Sequence, residues 1–282
     1  MAISIFTLSR KRHEKDVARW AVAELFGERV FDFPKSTKLL TSLFSRSTSE
    51  DEKDDQIIMD FFAGAGTAAH AAMLLSSLDG RKRRTISVKL PATIEPNEIA
   101  AKAGYTSISQ MSRERLRRTG VKILKKNDEL KGKLDVGFRA LRIDEGNFSD
   151  TRMSPHQASQ GALASMISHI KSDRTDEDLL FGALIRWEVD ITLPIKKGEL
   201  AGRTAWLVDP PVGDQEGAAV IACFALPQNG KGGINTEVAD VIAAQKSLRV
   251  LFRDDGFATD AIKENVASRF KQLAPDTTLR EL

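Results

Sequence analysis

The residues of clearest chemical interest form one run, Asp60-Phe61-Phe62-Ala63-Gly64-Ala65-Gly66-Thr67. A short apolar stretch with strand character precedes it at 56–59, and a helix-forming stretch follows it at 71–75. A strand, a glycine turn and a helix in that order form a ligand cradle at the carboxyl end of a parallel strand. The glycines permit a close approach to the backbone, and the free N–H groups of a helix that opens at Thr67 favour an anionic group. The alternative is an ordinary strand-to-helix turn in an α/β core.

A second group of charged residues lies between Ser112 and Lys133, where nine basic and three acidic residues leave a local excess of six positive charges. The whole chain carries a net charge of only +3. Such a segment can meet phosphate groups, and a solvated helix face is the competing interpretation. The candidate DNA contacts are Arg113, Arg117, Arg118 and Lys122.

The remaining polar residues predict neither a metal site nor a nucleophile. Four histidines are scattered along the chain without a cysteine–histidine cluster, so we expect no metal. The single cysteine, Cys223, lies in the apolar run 219–224, which favours a buried, inert thiol. No run approaches the ~20 apolar residues of a membrane span. We therefore expect no membrane association and a cytoplasmic protein.

The elements that must position these residues alternate between helices and strands. Apolar spacing in the first part predicts helices at 15–26, 37–44, 98–103 and 108–124, and strands at 85–90 and 137–143. The second part predicts helices at 162–170, 176–188, 234–244 and 259–273, and strands at 204–208, 218–224 and 248–252. This order predicts an α/β fold in two domains, at 1–148 and 149–282, of which the second is smaller.

Several short motifs also occur in one order along the chain. They are Phe31-Asp32-Phe33-Pro34-Lys35, the Asp60 run, Val88-Lys89-Leu90-Pro91, Lys102-Ala103-Gly104-Tyr105, Arg113-Glu114-Arg115-Leu116-Arg117-Arg118, Gly137-Phe138-Arg139 with Asn147-Phe148, Asp190-Ile191-Thr192-Leu193-Pro194, and the runs 248–254 and 270–276. In that order they resemble the C-terminal half of the modification subunit of type III restriction-modification systems. Members of that family are adenine-N6 DNA methyltransferases of a circularly permuted class, in which the catalytic half precedes the cofactor-binding half.

The resemblance implies a partial Rossmann-like sheet of an S-adenosylmethionine-dependent methyltransferase, followed by a smaller α/β domain. In the family the acid after the strand faces the methionine amine of the cofactor, and Lys35 could neutralise the methionine carboxylate. Lys89 stands where the family often has a glutamine or an acid for the ribose, and a lysine is a donor only. The implied cofactor-binding residues are Phe33, Pro34, Lys35, Asp60, Phe61, Phe62, Ala63, Gly64, Gly66 and Thr67.

Methylation of an adenine amine requires a flipped base, which the family holds with an Asp-Pro-Pro-Tyr motif. The counterpart here is Asp209-Pro210-Pro211-Val212. Val212 cannot stack on a base as an aromatic ring does, and the surrounding sequence resembles the C-terminal tail of the family. We therefore expect no catalytic residue in this chain. Asp209 is expected in a loop between two strands. The chain itself is expected to be a fragment that lacks the catalytic half.

The function predicted from this resemblance is the S-adenosylmethionine-binding part of a site-specific adenine-N6 DNA methyltransferase, inactive alone. The implied partners are DNA, an N-terminal catalytic half or partner methyltransferase chain, and a restriction subunit, with the chain in an oligomer. One alternative is a non-catalytic assembly module that contacts DNA and complements a partner methyltransferase. The other is a small complete methyltransferase that uses Asp209.

Overall fold

The computed structural model describes residues 20, 22–31, 35–48, 56–149, 169–212, 217–229 and 232–282. The chain divides into two compact units, Met1–Leu141 and Arg142–Leu282. Both units combine helices with strands, so the predicted mixed α/β class is confirmed. Phe33, Pro34, half of the helix predicted at 15–26 and most of the helix predicted at 162–170 lie outside the described residues, and residues 20 and 22–26 are helical.

The first unit is built around a strand–helix–strand segment. Its described elements are α1 (Thr37–Ser47), β1 (Gln56–Asp60), α2 (Thr67–Asp79), β2 (Arg83–Ser87), α3 (Ile99–Lys102) and α4 (Ile108–Lys126). The Ser36 hydroxyl accepts from the Leu39 N–H at the start of α1, and the Ser107 hydroxyl accepts from the Gln110 N–H at the start of α4. These side chains satisfy N–H groups that a helix cannot satisfy internally. The predicted helices at 37–44 and 108–124 are confirmed.

β1 and β2 form a two-stranded parallel sheet, connected by α2. A parallel pair requires a crossover of this kind. Ala71 and Ala72 of α2 are almost fully buried, and such small side chains permit close packing. Gly80 ends the helix with φ 72°, in the left-handed region where glycine is favoured.

One face of this sheet is apolar and exposed. Ile57, Met59 and Ile86 expose 54%, 49% and 45% of their surface, and Val88 exposes 39%. The register pairs Met59 with Ile86, so the exposed side chains are neighbours. We call Ile57, Met59, Ile86 and Val88 the open sheet face. Parallel sheets are ordinarily covered on both faces, whereas none of the described elements covers this face.

The second unit contains a single five-stranded sheet among its described residues, in the order β3-β4-β5-β6-β7. Neighbouring strands are antiparallel from β3 to β5 and parallel from β5 to β7. Its described elements are α5 (Asp176–Arg186), β3 (Ile195–Leu200), β4 (Arg203–Val208), β5 (Val220–Cys223), α6 (Thr236–Ala243), β6 (Arg249–Phe252), α7 (Asp260–Leu273) and β7 (Thr278–Glu281).

Both faces of this second sheet are covered. Ile221 packs on one side with Val238 of α6 and Phe270 of α7. Val220 packs on the other side with Leu180 of α5. Cys223 is fully buried, and burial raises the pKa of its thiol. The prediction of a buried thiol is confirmed.

Three strand assignments differ from the sequence prediction. The strand predicted at 137–143 is wrong, because these residues form no strand and Ile143 is completely exposed. Strands β3 and β7 were not predicted. β3 pairs with β4 through a two-residue turn at Ala201 and Gly202, whose φ values of 48° and 69° match the left-handed pair of a type I′ hairpin.

Candidate functional site

The loop between β1 and α2 is tied to the end of β2. The Val88 N–H donates to the Asp60 carbonyl at 2.8 Å, and the Ala63 N–H donates to the Val88 carbonyl at 3.1 Å. These bonds continue the parallel pairing of the strands beyond Asp60. The loop therefore starts from a fixed point at the carboxyl end of the sheet.

The turn itself depends on two glycines. Gly64 and Gly66 have φ values of 48° and 72°, which glycine adopts without the strain of a β-carbon. The Gly66 N–H donates to the Ala63 carbonyl at 2.7 Å and closes the turn. Gly66 is the N-cap of α2, and no side chain caps the helix. The first N–H groups of α2 are thus left for another partner.

Asp60 and the two following phenylalanines line the start of the loop. The Asp60 carboxylate accepts from the Phe62 N–H at 3.1 Å and remains half-buried. Phe61 and Phe62 expose 62% and 88% of their surface. Exposed aromatic rings beside an acid at a strand end are typical of a surface that contacts a ligand or a partner.

Helix α4 lies behind the glycine turn and holds its carbonyl groups. The Ser112 hydroxyl donates to the Gly64 carbonyl at 2.6 Å. Nη1 of Arg115 donates to the Ala65 carbonyl at 3.2 Å and to the Thr67 hydroxyl at 2.9 Å. Two consecutive peptide groups of the turn are therefore anchored to the same helix.

Arg115 is a buried cation, with 1% of its surface exposed. Besides the turn, its Nε donates to Nδ1 of His70 at 3.0 Å, and its Nη2 donates to the Thr37 hydroxyl at 3.0 Å. Burial lowers the pKa of Arg115 to about 10, so the guanidinium is charged at neutral pH. One side chain thus connects α1, the turn, α2 and α4.

His70 is held neutral in this position. Burial, and then the charges of Arg115 and Lys122, lower the pKa of His70 to about 3. Because Nδ1 accepts from Arg115, the ring proton lies on Nε2. His70 therefore belongs to a buried polar network at the start of α2.

Lys35 and Lys89, the lysines of the predicted cofactor site, occupy different environments. Lys35 is exposed and lies two residues before Thr37, which Arg115 links to the turn. Lys89 is half-buried and directly follows Val88, which pairs with the loop. Phe33 and Pro34 lie outside the described residues, so their role stays a prediction.

Three of the four candidate DNA contacts are engaged within the chain, and Arg117 is one of them, since its Nη1 lies 3.5 Å from Oε2 of Glu114. Arg118 pairs with Glu114 at 2.6 Å and donates to the carbonyls of Leu25 and Phe26. Lys122 pairs with Glu24 at 2.7 Å. The side chain of Arg117 is 59% exposed, and Arg113 is partly exposed on the same helix. A contact between these residues and DNA stays a prediction.

Comparison with known proteins identifies two kinds of relative. The Mod subunit of the type III restriction-modification enzyme StyLTI from Salmonella typhimurium is 40% identical over 122 residues, which are 43% of this chain and 18% of that protein. The Mod subunit of EcoP15I from Escherichia coli is 33% identical over 129 residues, 45% of this chain and 18% of that protein. The chain is similar to type III Mod subunits. The predicted resemblance is therefore confirmed.

The other kind of relative is a type II methyltransferase, M.KpnI of Klebsiella pneumoniae. It is 41% identical over 95 residues, 34% of this chain and 22% of that protein. The chain spans about a fifth of the length of these curated relatives. No protein-family model matches the chain.

The Asp-Pro-Pro segment of this Mod-like chain follows an antiparallel strand. Asp209 is exposed directly after β4, and its N–H donates to the Pro194 carbonyl at 2.7 Å. Because Val208 pairs with Val220 at the start of β5, Asp209 lies at the edge where β5 begins. Val212 exposes 77% of its surface. Asp209 therefore does not lie at the carboxyl end of a parallel strand, which is the position that predicts a ligand cradle at Asp60.

Ser112 and Arg115 were not predicted as site residues. Arg115 was counted among nine basic residues of a DNA-contacting segment, but its burial removes it from that surface. A signal was present in the spacing, because Arg115 lies four residues after the buried Met111 and four before the buried Thr119. A cation on the buried stripe of a helix requires internal partners.

In the described part of the chain, no helix is long and apolar enough to cross a membrane. No group of three potential metal ligands is found in the same part.

Proposed function

We propose that the chain binds S-adenosylmethionine at the loop that follows β1, residues 60–66, here called the Asp60 loop. In this proposal the chain forms part of an adenine-N6 DNA methyltransferase of a restriction-modification system. The observation that carries the proposal is the similarity to Mod subunits and to a type II methyltransferase, in a chain whose Asp60 loop has an anchored glycine turn. The donors and acceptors of this loop fit an amino-acid-like ligand group.

Each loop residue has a distinct role in this proposal. The Asp60 carboxylate is available to accept from an ammonium group, since its only described hydrogen bond is with the Phe62 N–H. The uncapped start of α2 and the exposed Lys35 favour a carboxylate. Phe61 and Phe62 offer apolar surface to a purine. The cofactor would supply an activated methyl group.

Calorimetry of the purified chain with S-adenosylmethionine tests this site. We expect measurable binding that Asp60→Ala weakens at least about tenfold, because a hydrogen bond to a charged group contributes about 1.5–3 kcal/mol. Asp276→Ala, in an exposed turn of the second unit, is the matched control. Equal affinity of the wild type and Asp60→Ala would refute the assignment.

We further propose that a partner polypeptide packs on the open sheet face. This partner is either the N-terminal catalytic half or another methyltransferase chain. The exposed apolar side chains on a parallel sheet support this proposal, and they also favour an oligomer. DNA and a restriction subunit are the other expected partners, because the relatives are named as subunits of restriction-modification enzymes. The non-catalytic assembly module remains the alternative that this same face favours.

The chain alone should not methylate DNA. Its sequence holds one Asp-Pro-Pro segment, which Val212 follows instead of an aromatic residue, and Asp209 follows an antiparallel strand. We expect transfer of a radiolabelled methyl group to adenine-containing duplex DNA to stay at background. Incorporation abolished by Asp209→Ala would instead establish a small complete methyltransferase.

A further inference from the structure

The buried side of α4 carries an unusual combination of groups. Arg115 is 1% exposed and charged, yet each of its described hydrogen-bond partners is neutral: the Ala65 carbonyl, the hydroxyls of Thr37 and Thr67, and Nδ1 of His70. A buried cation is costly unless it is both hydrogen-bonded and paired with an opposite charge, and none of these described partners is an acid. The arrangement is therefore a poor source of stability and requires another explanation.

The bonds from α4 fix the direction of two peptide groups. In a trans peptide the N–H points opposite to the carbonyl. Because the Gly64 carbonyl is held by Ser112, the Ala65 N–H is directed away from α4. Because the Ala65 carbonyl is held by Arg115, the Gly66 N–H is directed away as well, and it donates to Ala63. Among the described residues, the Ala65 N–H has no acceptor.

We propose that Arg115, assisted by Ser112, is the positioning residue of the Asp60 loop. It holds the carbonyls of residues 64 and 65 against α4, so that the Ala65 N–H and the first N–H groups of α2 face the ligand. The inference rests on the proposed function for the identity of the ligand. Arg115 itself does not touch the ligand, because it is buried behind the turn.

A guanidinium suits this task better than an ammonium group. Its donors lie in a rigid plane and point in different directions, which matches partners on α1, the turn and α2. A lysine would offer three donors from one point and could reach only some of these partners. We therefore expect Arg115→Lys to keep part of the function and Arg115→Gln to lose most of it.

The test combines cofactor affinity with hydrogen exchange of the apo protein, measured on the full chain. In Arg115→Gln we expect about tenfold weaker S-adenosylmethionine binding, the effect of losing hydrogen bonds from a charged group. We also expect about tenfold faster exchange of the protected amides of Ala63, Gly66 and His70. Arg115→Lys should fall between Arg115→Gln and the wild type, and the amides of the second unit should not change.

Arg118→Gln is the matched control, because Arg118 lies one turn further along α4 and binds Glu114 and carbonyls outside the loop. It should leave exchange in residues 63–70 unchanged. If Arg115→Gln fails to fold, Ser112→Ala and Arg115→Lys replace it. Ser112→Ala should speed loop exchange and weaken binding by a smaller factor.

The outcomes separate this inference from the proposed function. Wild-type exchange and affinity in a folded Arg115→Gln variant would overturn the positioning role, even if Asp60→Ala abolishes binding. A uniform rise in exchange across the first unit, with no local excess in residues 63–70, would assign Arg115 a structural role only. Faster loop exchange in a chain with no affinity for S-adenosylmethionine would retain the positioning role and refute the proposed ligand.

Discussion

His70 couples the candidate site to pH. Its pKa is about 3 in the folded chain, chiefly because of burial, and about 6.5 in an unfolded chain. Between these values the unfolded state binds more protons than the folded state. The neutral His70 therefore contributes stability that is fully present above about pH 6.5 and is lost progressively as the pH falls toward 3.

We expect the wild type to lose stability between pH 7.5 and pH 5, and His70→Gln to lose less. The glutamine carbonyl can still accept from Arg115 but takes up no proton. Thermal unfolding followed by circular dichroism at the two pH values measures the difference. His169→Gln, in the second unit, is the control and should keep the wild-type pH dependence. Identical pH dependence in His70→Gln would show that His70 is not the responsible group.

At the scale of elements, the turn between β3 and β4 contains a mismatch between residue and conformation. Ala201 has φ 48° and Gly202 has φ 69°. Only glycine and, less readily, asparagine adopt this region without strain, and other residues lose roughly 1–2 kcal/mol there. The hairpin thus forms despite its first turn residue.

Ala201→Asn should therefore stabilise the second unit by up to about 1 kcal/mol, because asparagine tolerates the left-handed region. Gly202→Ala is the reciprocal variant and should destabilise it by about the same amount. Urea unfolding of the two variants measures both effects. A stabilising Gly202→Ala, or a destabilising Ala201→Asn, would contradict the turn geometry.

The helices were the elements best predicted from the sequence, because their signals are local. Ser36 and Ser107 cap α1 and α4 beside apolar residues at helical spacing. The strands depend on distant partners. β3 contains Lys196-Lys197-Gly198 and becomes a strand by pairing with β4, whereas the alternating residues 137–143 form no strand pairing with the described residues.

The same distinction applies to the candidate site. The Asp60 run was recognisable because its glycines, acid and helix start are contiguous. Arg115 is 48 residues from Thr67 and 78 from Thr37, so its role depends on tertiary packing. Its charge favoured a place on the surface, and only the position of α4 against the turn reveals why it is buried.

At the scale of the whole molecule, positive charge is distributed unevenly, since the net charge is +3 whereas α4 alone has seven basic residues and one acidic residue. Arg115 is buried, and the exposed or partly exposed cations of α4 include Arg113, Arg117 and Lys125. These residues predict weak, nonspecific DNA binding, because phosphate contacts do not distinguish sequences.

Replacing Arg113, Arg117 and Lys125 with glutamine should weaken binding to any duplex and reduce the slope of log affinity against log salt by roughly 2 to 3. Fluorescence anisotropy with a labelled duplex at several salt concentrations provides the measurement. A variant with Lys196, Lys271 and Arg280 replaced by glutamine removes the same charge from the second unit and should retain the slope. Equal slopes in the wild type and the α4 variant would exclude α4 as the DNA contact.

The open sheet face makes the first unit subject to mass action. Any polypeptide that covers Ile57, Met59, Ile86 and Val88 only in the folded state adds a free energy of stabilisation that grows with the logarithm of its concentration. The melting temperature of the first unit should therefore rise as the concentration of the protein or of its partner rises. The second unit has both sheet faces covered, so its melting temperature should not depend on concentration. In a cell, the amount of folded first unit would follow the supply of its partner.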